Sequence, residues 1–265
     1  MSESDSIELL RRAVSEAGRT VALTGAGISV PSGIPPFRGE GGIWERFDDG
    51  QFTYGRFQRD PAGFWADRLE LQEAMFDGGV EPNVAHEALL ALEHLETIIT
   101  QNTDGLHQEA NEMAPKPRSR PTVLELHGNA QQVVCHSCGD RNRADPVFTR
   151  VADGERPPRC DCGGVYKPDV VLFGEGLPEE TLERARTATQ GCDLFLAIGT
   201  SLVVHPAASL PRLGARHGAT VGIITLEPTP LDGLAEVVVR GDVVDVLPAV
   251  VPGFGDGDGT TGNRA

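Results

Sequence analysis

Four cysteines fall in two close pairs, Cys135 with Cys138 and Cys160 with Cys162, separated by residues 139–159. Thiolates are soft ligands, and two such pairs can converge on one tetrahedral zinc ion at about 2.3 Å. Gly139 and Gly163 follow the second cysteine of each pair and permit tight knuckle turns. The second pair has one intervening residue instead of two, which tightens its knuckle. In a reducing compartment such a cluster points to metal before disulfides. Four protein ligands leave no open coordination position, so the expected zinc is structural. Cys192 stands apart beside an apolar run and reads as a core residue.

A second group is the octapeptide TQNTDGLH, residues 100–107, which ends the apolar run Thr97-Ile98-Ile99-Thr100. Gln101, Asn102, Asp104 and His107 crowd it with hydrogen-bonding groups. A surface loop and a strand end emptying into a ligand cleft look alike at this level. His127 ends the run TVLELH before Gly128. A histidine there is either a general base facing a cleft or a structural histidine. Gly25-Ala26-Gly27 also follows an apolar run. Small residues let backbone N–H groups approach a pyrophosphate, but Val30 replaces the third glycine of the dinucleotide fingerprint, so a plain tight turn fits equally. Gly199-Thr200-Ser201 and Thr225-Leu226-Glu227 end two further runs, and Glu227 can accept hydrogen bonds from ribose hydroxyls. Together these strand ends favour a nucleotide cleft.

Elements that would position these groups alternate along the chain. Helical periodicity predicts helices over 6–18, from Asp60-Pro61 to about Phe76, and over 83–95, 178–190, 205–217 and 242–250. Asp5 or Ser6 can cap the first, and Gly18 can stop it. Apolar runs predict strands at 21–24, 97–101, 122–128, 169–174, 193–200, 220–225 and 236–240. Residues 35–60 lack periodicity and read as loop. The alternation implies an α/β fold with a mostly parallel sheet covered on both faces, its strand C-termini along one ligand-binding edge.

The chain has 265 residues, 39% of them hydrophobic, enough for one large domain with a small insert. Its 39 acidic and 23 basic residues give a net charge of −16, and only Lys116 and Lys167 are lysines. The acidic excess reads as adaptation to high intracellular salt, where self-repulsion is screened. It argues against direct nucleic-acid binding, which needs a basic face. No run approaches the ~18 apolar residues of a membrane span, and no signal peptide is evident, so a cytoplasmic protein without membrane association is expected.

The stretches GAGISVPSGIPPFRG (25–39), TQNTDGLH, LELHG (124–128), the four cysteines, KPDVVLFGE (167–175), GTSLVVHPAASLP (199–211) and LEPTPLD (226–232) occur in an order that closely resembles the sirtuins, the NAD-dependent protein-lysine deacylases. The resemblance implies a Rossmann-like parallel-sheet domain (1–34, 83–130 and 168–251). A smaller zinc-binding and helical domain is formed by insertions, a flexible loop with helices at 35–82 and a zinc module at 131–167. Residues 252–265 form an expected disordered tail. It implies NAD as a consumed co-substrate and one structural zinc on Cys135, Cys138, Cys160 and Cys162. Gln101, Asn102 and Asp104 would hold the nicotinamide and its ribose. Gly25, Ala26, Gly27 and Ile28 would line the phosphates and nicotinamide pocket, with Phe37 and Arg38 closing over it. Gly199, Thr200 and Ser201 would bind the distal phosphate and ribose. Thr225, where asparagine is common, and Glu227 would face the adenosine, and the Val243 backbone the adenine. Val170, Val171, Leu172 and Phe173, with Val203, would grip an acylated-lysine protein substrate as an added strand, and His127 would be the general base. His107 falls outside this contact set. Pro36 replaces a frequent acidic residue.

Members that favour acidic acyl groups carry a Tyr and an Arg three residues apart. Arg68 and Leu71 stand there, which favours acetyl or another uncharged acyl group. The resemblance leaves one alternative on the same NAD site, protein mono-ADP-ribosyl transfer.

Overall fold

The structure, a computed structural model, describes residues 2–37, 39, 41–76, 78–114 and 120–254. In chain order its elements are α1 (Glu3–Glu16), β1 (Thr20–Thr24), α2 (Ile43–Arg46), α3 (Tyr54–Arg59), α4 (Pro61–Phe76), α5 (Val84–Leu90), β2 (Leu95–Thr100), α6 (Leu106–Met113), β3 (Thr122–Glu125), β4 (Gly128–Cys135), β5 (Arg141–Arg143), α7 (Ala144–Ala152), β6 (Tyr166–Val170), α8 (Glu179–Gly191), β7 (Leu194–Ile198), α9 (Leu210–Arg216), β8 (Thr220–Thr225), β9 (Val237–Arg240) and α10 (Val243–Val250). The first helix is capped by Ser2. Its hydroxyl accepts from Asp5 N while the Asp5 carboxylate accepts from Ser2 N, a reciprocal box that starts the helix upstream of the expected Asp5 or Ser6.

Six strands form one parallel sheet in the order β3-β2-β1-β7-β8-β9. Every residue of β1 and β7 is buried, which is why both read as unbroken apolar runs. Side chains split between the faces with period two. Ala22, Leu196, Ile198 and Ile224 pack with Leu10 and Val14 of α1, Leu89 of α5 and Leu247 of α10. Val21, Leu23, Phe195, Ala197 and Ile223 pack with Ala185 of α8 and Leu210 of α9. Phe254 packs against the first of these cores, whereas residues 255–265, the rest of the expected disordered tail, lie outside the described residues, as does Arg38. Successive strands build outward from β1 in one direction and from β7 in the other. The crevice at the C-terminal ends of β1 and β7 is therefore the topological switch point, where open α/β sheets bind ligands.

A second core joins α2, α3, α4 and α7 to a three-stranded antiparallel sheet, β5-β4-β6. Residues 35–60, read as loop from the sequence, are partly helical. Their elements are too short for periodicity to reveal, and aromatic contacts hold them: Trp44 lies 5.8, 5.7 and 5.5 Å from Phe37, Phe52 and Phe173. Residues 169–174, expected as a parallel strand, do not join the large sheet. The strand is instead β6, which ends at Val170 and pairs with β4. Beyond Val170 the chain turns into a loop closed by polar groups. Leu172 N donates to Glu175 Oε2 at 3.0 Å, and the Lys167 ammonium donates to that same oxygen at 3.0 Å and to the Val170 carbonyl at 2.7 Å. Lys167, the lysine among the described residues, is 7% exposed.

Candidate functional site

The turns after β1 and β7 interlock. Gly25 N donates to Ile198 O at 3.1 Å and Gly27 N to Gly199 O at 2.9 Å. A Cβ at Gly27 would stand 2.8 Å from Gly199 Cα, and one at Gly25 2.8 Å from Gly199 O. The glycines of the GAG stretch are therefore required by the close approach of two backbones, beyond any role toward a ligand. After a 3-10 turn over Ala26–Ile28, Asn83 pins the segment by donating from Nδ2 to Ile28 O at 2.9 Å and to Ser32 Oγ at 2.8 Å.

The octapeptide folds back over this turn. Gln101 N donates to Thr24 O, and its Nε2 donates to Thr200 Oγ1 at 2.9 Å, bridging the ends of β1, β2 and β7. Ser29, fully buried, links the other two amide and carboxylate groups. It accepts from Asn102 Nδ2 at 3.0 Å and donates to Asp104 Oδ2 at 2.8 Å. Asp104 Oδ1 accepts from Leu106 N at 2.9 Å. Burial pushes the Asp104 pKa up, and these donors oppose the rise. Asn102 Oδ1 is buried without a partner, an acceptor that a ligand hydroxyl or amide N–H would complete. Ala26, Ser29, Ile34, Phe37, Met75, Asn102, Thr103 and Asp104 line one small cleft. His107 lies beneath the cleft, 2% exposed, with Nε2 2.8 Å from Thr24 Oγ1.

His127 stands beyond the C-terminal end of β3, beside Gln101. Its Nδ1 lies 2.9 Å from the Gln101 carbonyl oxygen. A carbonyl only accepts, so Nδ1 carries the proton and Nε2 of the neutral ring is the lone-pair nitrogen. Burial lowers the His127 pKa, partly countered by that hydrogen bond. His127 O accepts from Val171 N at 2.8 Å, joining the histidine to the segment Val170–Phe173. Gly128 makes this possible: at φ +76° a Cβ there would lie 2.0 Å from Asp169 O. Leu172 is buried, whereas Phe173 and Val203 present exposed apolar surface (40% and 48%).

At the far side, Thr200 and Thr225 are buried, Ser201 and Glu227 are exposed, and Gly39 approaches Glu227 Oε1, 3.9 Å from an added Cβ. Val243 opens α10 behind the Asp242 cap.

Two groups escaped the sequence reading. Ser29 sits inside the glycine-rich stretch without any spacing signal. Glu125, two residues before His127, is pushed up to about 7, chiefly by burial and also by the nearby Asp104 and Asp169 charges, against hydrogen bonds from Gln108 and Asn129. Asn129 Nδ2 donates to Glu125 Oε1 at 2.8 Å, and Gln131 continues the chain by donating from Nε2 to Asp104 O at 2.9 Å.

The four cysteine sulfurs lie within 4.8 Å of one another. Cys135 Sγ and Cys162 Sγ are 3.5 Å apart, Cys138 Sγ and Cys160 Sγ 3.8 Å. A disulfide needs about 2.0 Å. A tetrahedron of thiolates around zinc at about 2.3 Å has edges of about 3.8 Å, so the donor set fits that ion. Gly139 and Gly163 take positive φ in the knuckles, and Gly164 N points at Cys162 Sγ at 3.4 Å.

The fold and its site thus define a doubly wound nucleotide-binding enzyme scaffold carrying a four-cysteine metal module. Residues 25–206 match the model of the Sir2 family, and the chain belongs to that family. It is 48% identical over 254 residues, 94% of this chain and 95% of the relative, to the NAD-dependent protein deacetylase of Haloarcula marismortui. The salt-adapted origin read from the acidic composition is consistent with that relative. A solved structure from work on the structural basis for the mechanism and regulation of Sir2 enzymes superposes with a TM-score of 0.81 at 38% identity, covering 94% of this chain and 97% of the other. A Sir2 variant solved with a deacetylated p53 peptide and 3′-O-acetyl ADP-ribose gives 0.82 at 34% identity, covering 92% and 96%. No helix among the described residues is long and apolar enough to cross a membrane.

Proposed function

We propose that this chain is an NAD-dependent protein-lysine deacylase. It removes acetyl or other uncharged acyl groups and yields nicotinamide, O-acyl-ADP-ribose and free lysine. The observation that carries this reading is the hydrogen bond from His127 Nδ1 to Gln101 O. It fixes the tautomer with Nε2 unprotonated, and burial keeps the ring neutral at neutral pH. His127 Nε2 is then a general base beyond the end of β3, beside Gln101 and Asn102, which follow the neighbouring strand β2.

When bound, NAD supplies a departing nicotinamide and ribose hydroxyls that take over the acyl group. Gln101, Asn102 and Asp104, with Ser29 linking the last two, hold the nicotinamide end, and the unpartnered Asn102 Oδ1 supports a ligand donor there. Gly25, Ala26, Gly27 and Ile28 line the phosphates and the nicotinamide pocket with Phe37 over it, a role the resemblance also gives Arg38, which lies outside the described residues. Gly199, Thr200 and Ser201 hold the distal phosphate and ribose, with Thr225, Glu227 and the Val243 backbone on the adenosine. His127 takes a proton from a ribose hydroxyl at Nε2. Val170, Val171, Leu172, Phe173 and Val203 receive the acylated peptide as an added strand, for which the exposed Phe173 and Val203 offer apolar contact. Cys135, Cys138, Cys160 and Cys162 hold a structural zinc. The nucleotide-binding part comprises 1–34, 83–130 and 168–251, and the insertions 35–82 and 131–167 form the smaller part.

Mass spectrometry of an acetyl-lysine peptide incubated with the protein tests the reading. Deacetylation should need NAD and release nicotinamide. Equal product with and without NAD overturns it.

A further inference from the structure

Helix α4 buries Phe64, Trp65, Arg68, Leu71 and Met75. In the middle of this otherwise apolar stripe the Arg68 side chain is 3% exposed, and its Nε and Nη1 have no hydrogen-bond partner. Its guanidinium carbon lies 5.3 Å from the centre of the Phe148 ring on α7. Trp65, one turn earlier, packs 5.5 Å from the same ring and spends its indole N–H on Tyr166 O. The acidic groups nearby in sequence face elsewhere. Asp67 Oδ2 lies 3.6 Å from Arg56 Nη2, Glu70 and Glu73 are exposed, and on α7 Asp145 meets Arg143. One turn beyond Arg68, Gln72 holds a buried Oε1 without a partner. Asp67, Arg68 and Gln72 together carry four of the eight buried unpartnered side-chain polar atoms found among the described residues.

Burial lowers the Arg68 pKa only to about 10, so the group is a cation at neutral pH. An unpaired charge is among the costliest things a core can enclose, and buried charges are as a rule paired. The Phe148 face offsets only part of that cost. An anion offsets the rest. Gln72 can join in, because its amide oxygen and nitrogen are interchangeable in assignment and residues four apart on a helix are neighbours.

We propose that Arg68 seats a small inorganic anion of the halide class in the core between α4 and α7. The burial of the guanidinium against the Phe148 ring suits a compact anion, and its weak hydration suits one that sheds water easily. An oxyanion with several oxygens would need more donors than Arg68 and Gln72 provide. The acidic composition, with its net charge of −16, fits a protein working where such anions are abundant. A ligand that binds only the folded state stabilises in proportion to the logarithm of its concentration, a dependence separable from general screening. This site does not depend on the proposed deacylase reading.

The test holds ionic strength and potassium fixed and replaces gluconate, too large to enter, by chloride. The wild-type melting temperature should climb by several degrees with the logarithm of chloride. In Arg68→Met, a volume-matched apolar replacement, the two salts should give the same melting temperature. Wild-type crystals grown in bromide should show an anomalous peak within hydrogen-bond reach of the guanidinium, a readout that stands even if the variant fails to fold. Equal wild-type melting in both salts together with no bromide peak overturns the proposal. So does faster turnover of a succinylated than an acetylated peptide that Arg68→Met abolishes, because that assigns the guanidinium to a substrate carboxylate.

Discussion

The Ser29 hydroxyl donates to the Asp104 carboxylate across 2.8 Å while accepting from Asn102, with all three side chains buried. One small side chain thus sets the orientation of two groups proposed to hold nicotinamide. Ser29→Ala should leave Asp104 short of a donor, at a cost of about 1–3 kcal/mol. The expected result is at least a tenfold fall in kcat/KM for NAD with a smaller change in peptide KM. Kinetics like the wild type would make Ser29 a packing residue.

His127→Ala should lower turnover by ~10²–10⁴, the usual contribution of a general base. NAD binding, measured by calorimetry, should survive. Because burial sets the His127 pKa below 6.5, the acid limb of kcat/KM should lie below that value, the base being lost as pH falls through the folded pKa. An acid limb centred above pH 7 contradicts the assignment.

Glu125 should act on stability with the opposite sense to a paired carboxylate. Its folded pKa is raised to about 7 from an ordinary value of 4.5, so between these values the folded state binds more protons than the unfolded state, and stability falls as pH rises. Glu125→Gln should therefore be near neutral at pH 4.5 and stabilise by up to about 3 kcal/mol at pH 8. His86 works the other way: burial lowers its pKa to about 4, so its contribution is lost as pH falls from 6.5 toward 4. Urea titrations of Glu125→Gln and wild type at both pH values isolate the Glu125 part. A difference independent of pH would show that the carboxyl does not titrate in that window.

The purified protein should contain one zinc per chain. Replacing Cys160 or Cys162 by serine should lower the melting temperature first and activity second, since a structural zinc contributes folding free energy. Active protein without zinc refutes the four-thiolate site.

Raising potassium chloride from 0.1 M toward molar concentrations should raise the melting temperature. The Debye length falls from about 10 Å to about 3 Å over that range. Repulsion within the net charge of −16 is then confined to near neighbours. A melting curve that stays flat or falls counts against salt adaptation and leaves the catalytic assignment untouched.

The central strands were legible because a parallel sheet buries both faces, so Val21–Leu23 and Leu194–Ile198 read as unbroken apolar runs. The cysteine pairs were legible because ligand spacing is a local property. Helices α2 and α3 were not, since four and six residues are too few to display a period. Val170–Phe173 carries the composition of a buried strand, yet only Val170 pairs with β4, Phe173 bridges to Thr53 instead, and the Lys167–Glu175 pair closes the loop where composition would extend the strand. Ser29 was hidden, and so was the burial of Arg68, for a common reason: residue type records polarity, whereas burial is revealed only by the packing.

The enclosure of Lys167 has a consequence for handling the protein. An amine-directed reagent meets, among the described residues, one lysine, and that one is 7% exposed with its nitrogen committed to Glu175 and Val170. Crosslinkers and dyes that target surface amines should therefore label the described part of the chain sparsely. A protein proposed to process acyl-lysines likewise offers almost none of its own from that part, so acylation of the enzyme itself adds little background to an assay of its turnover.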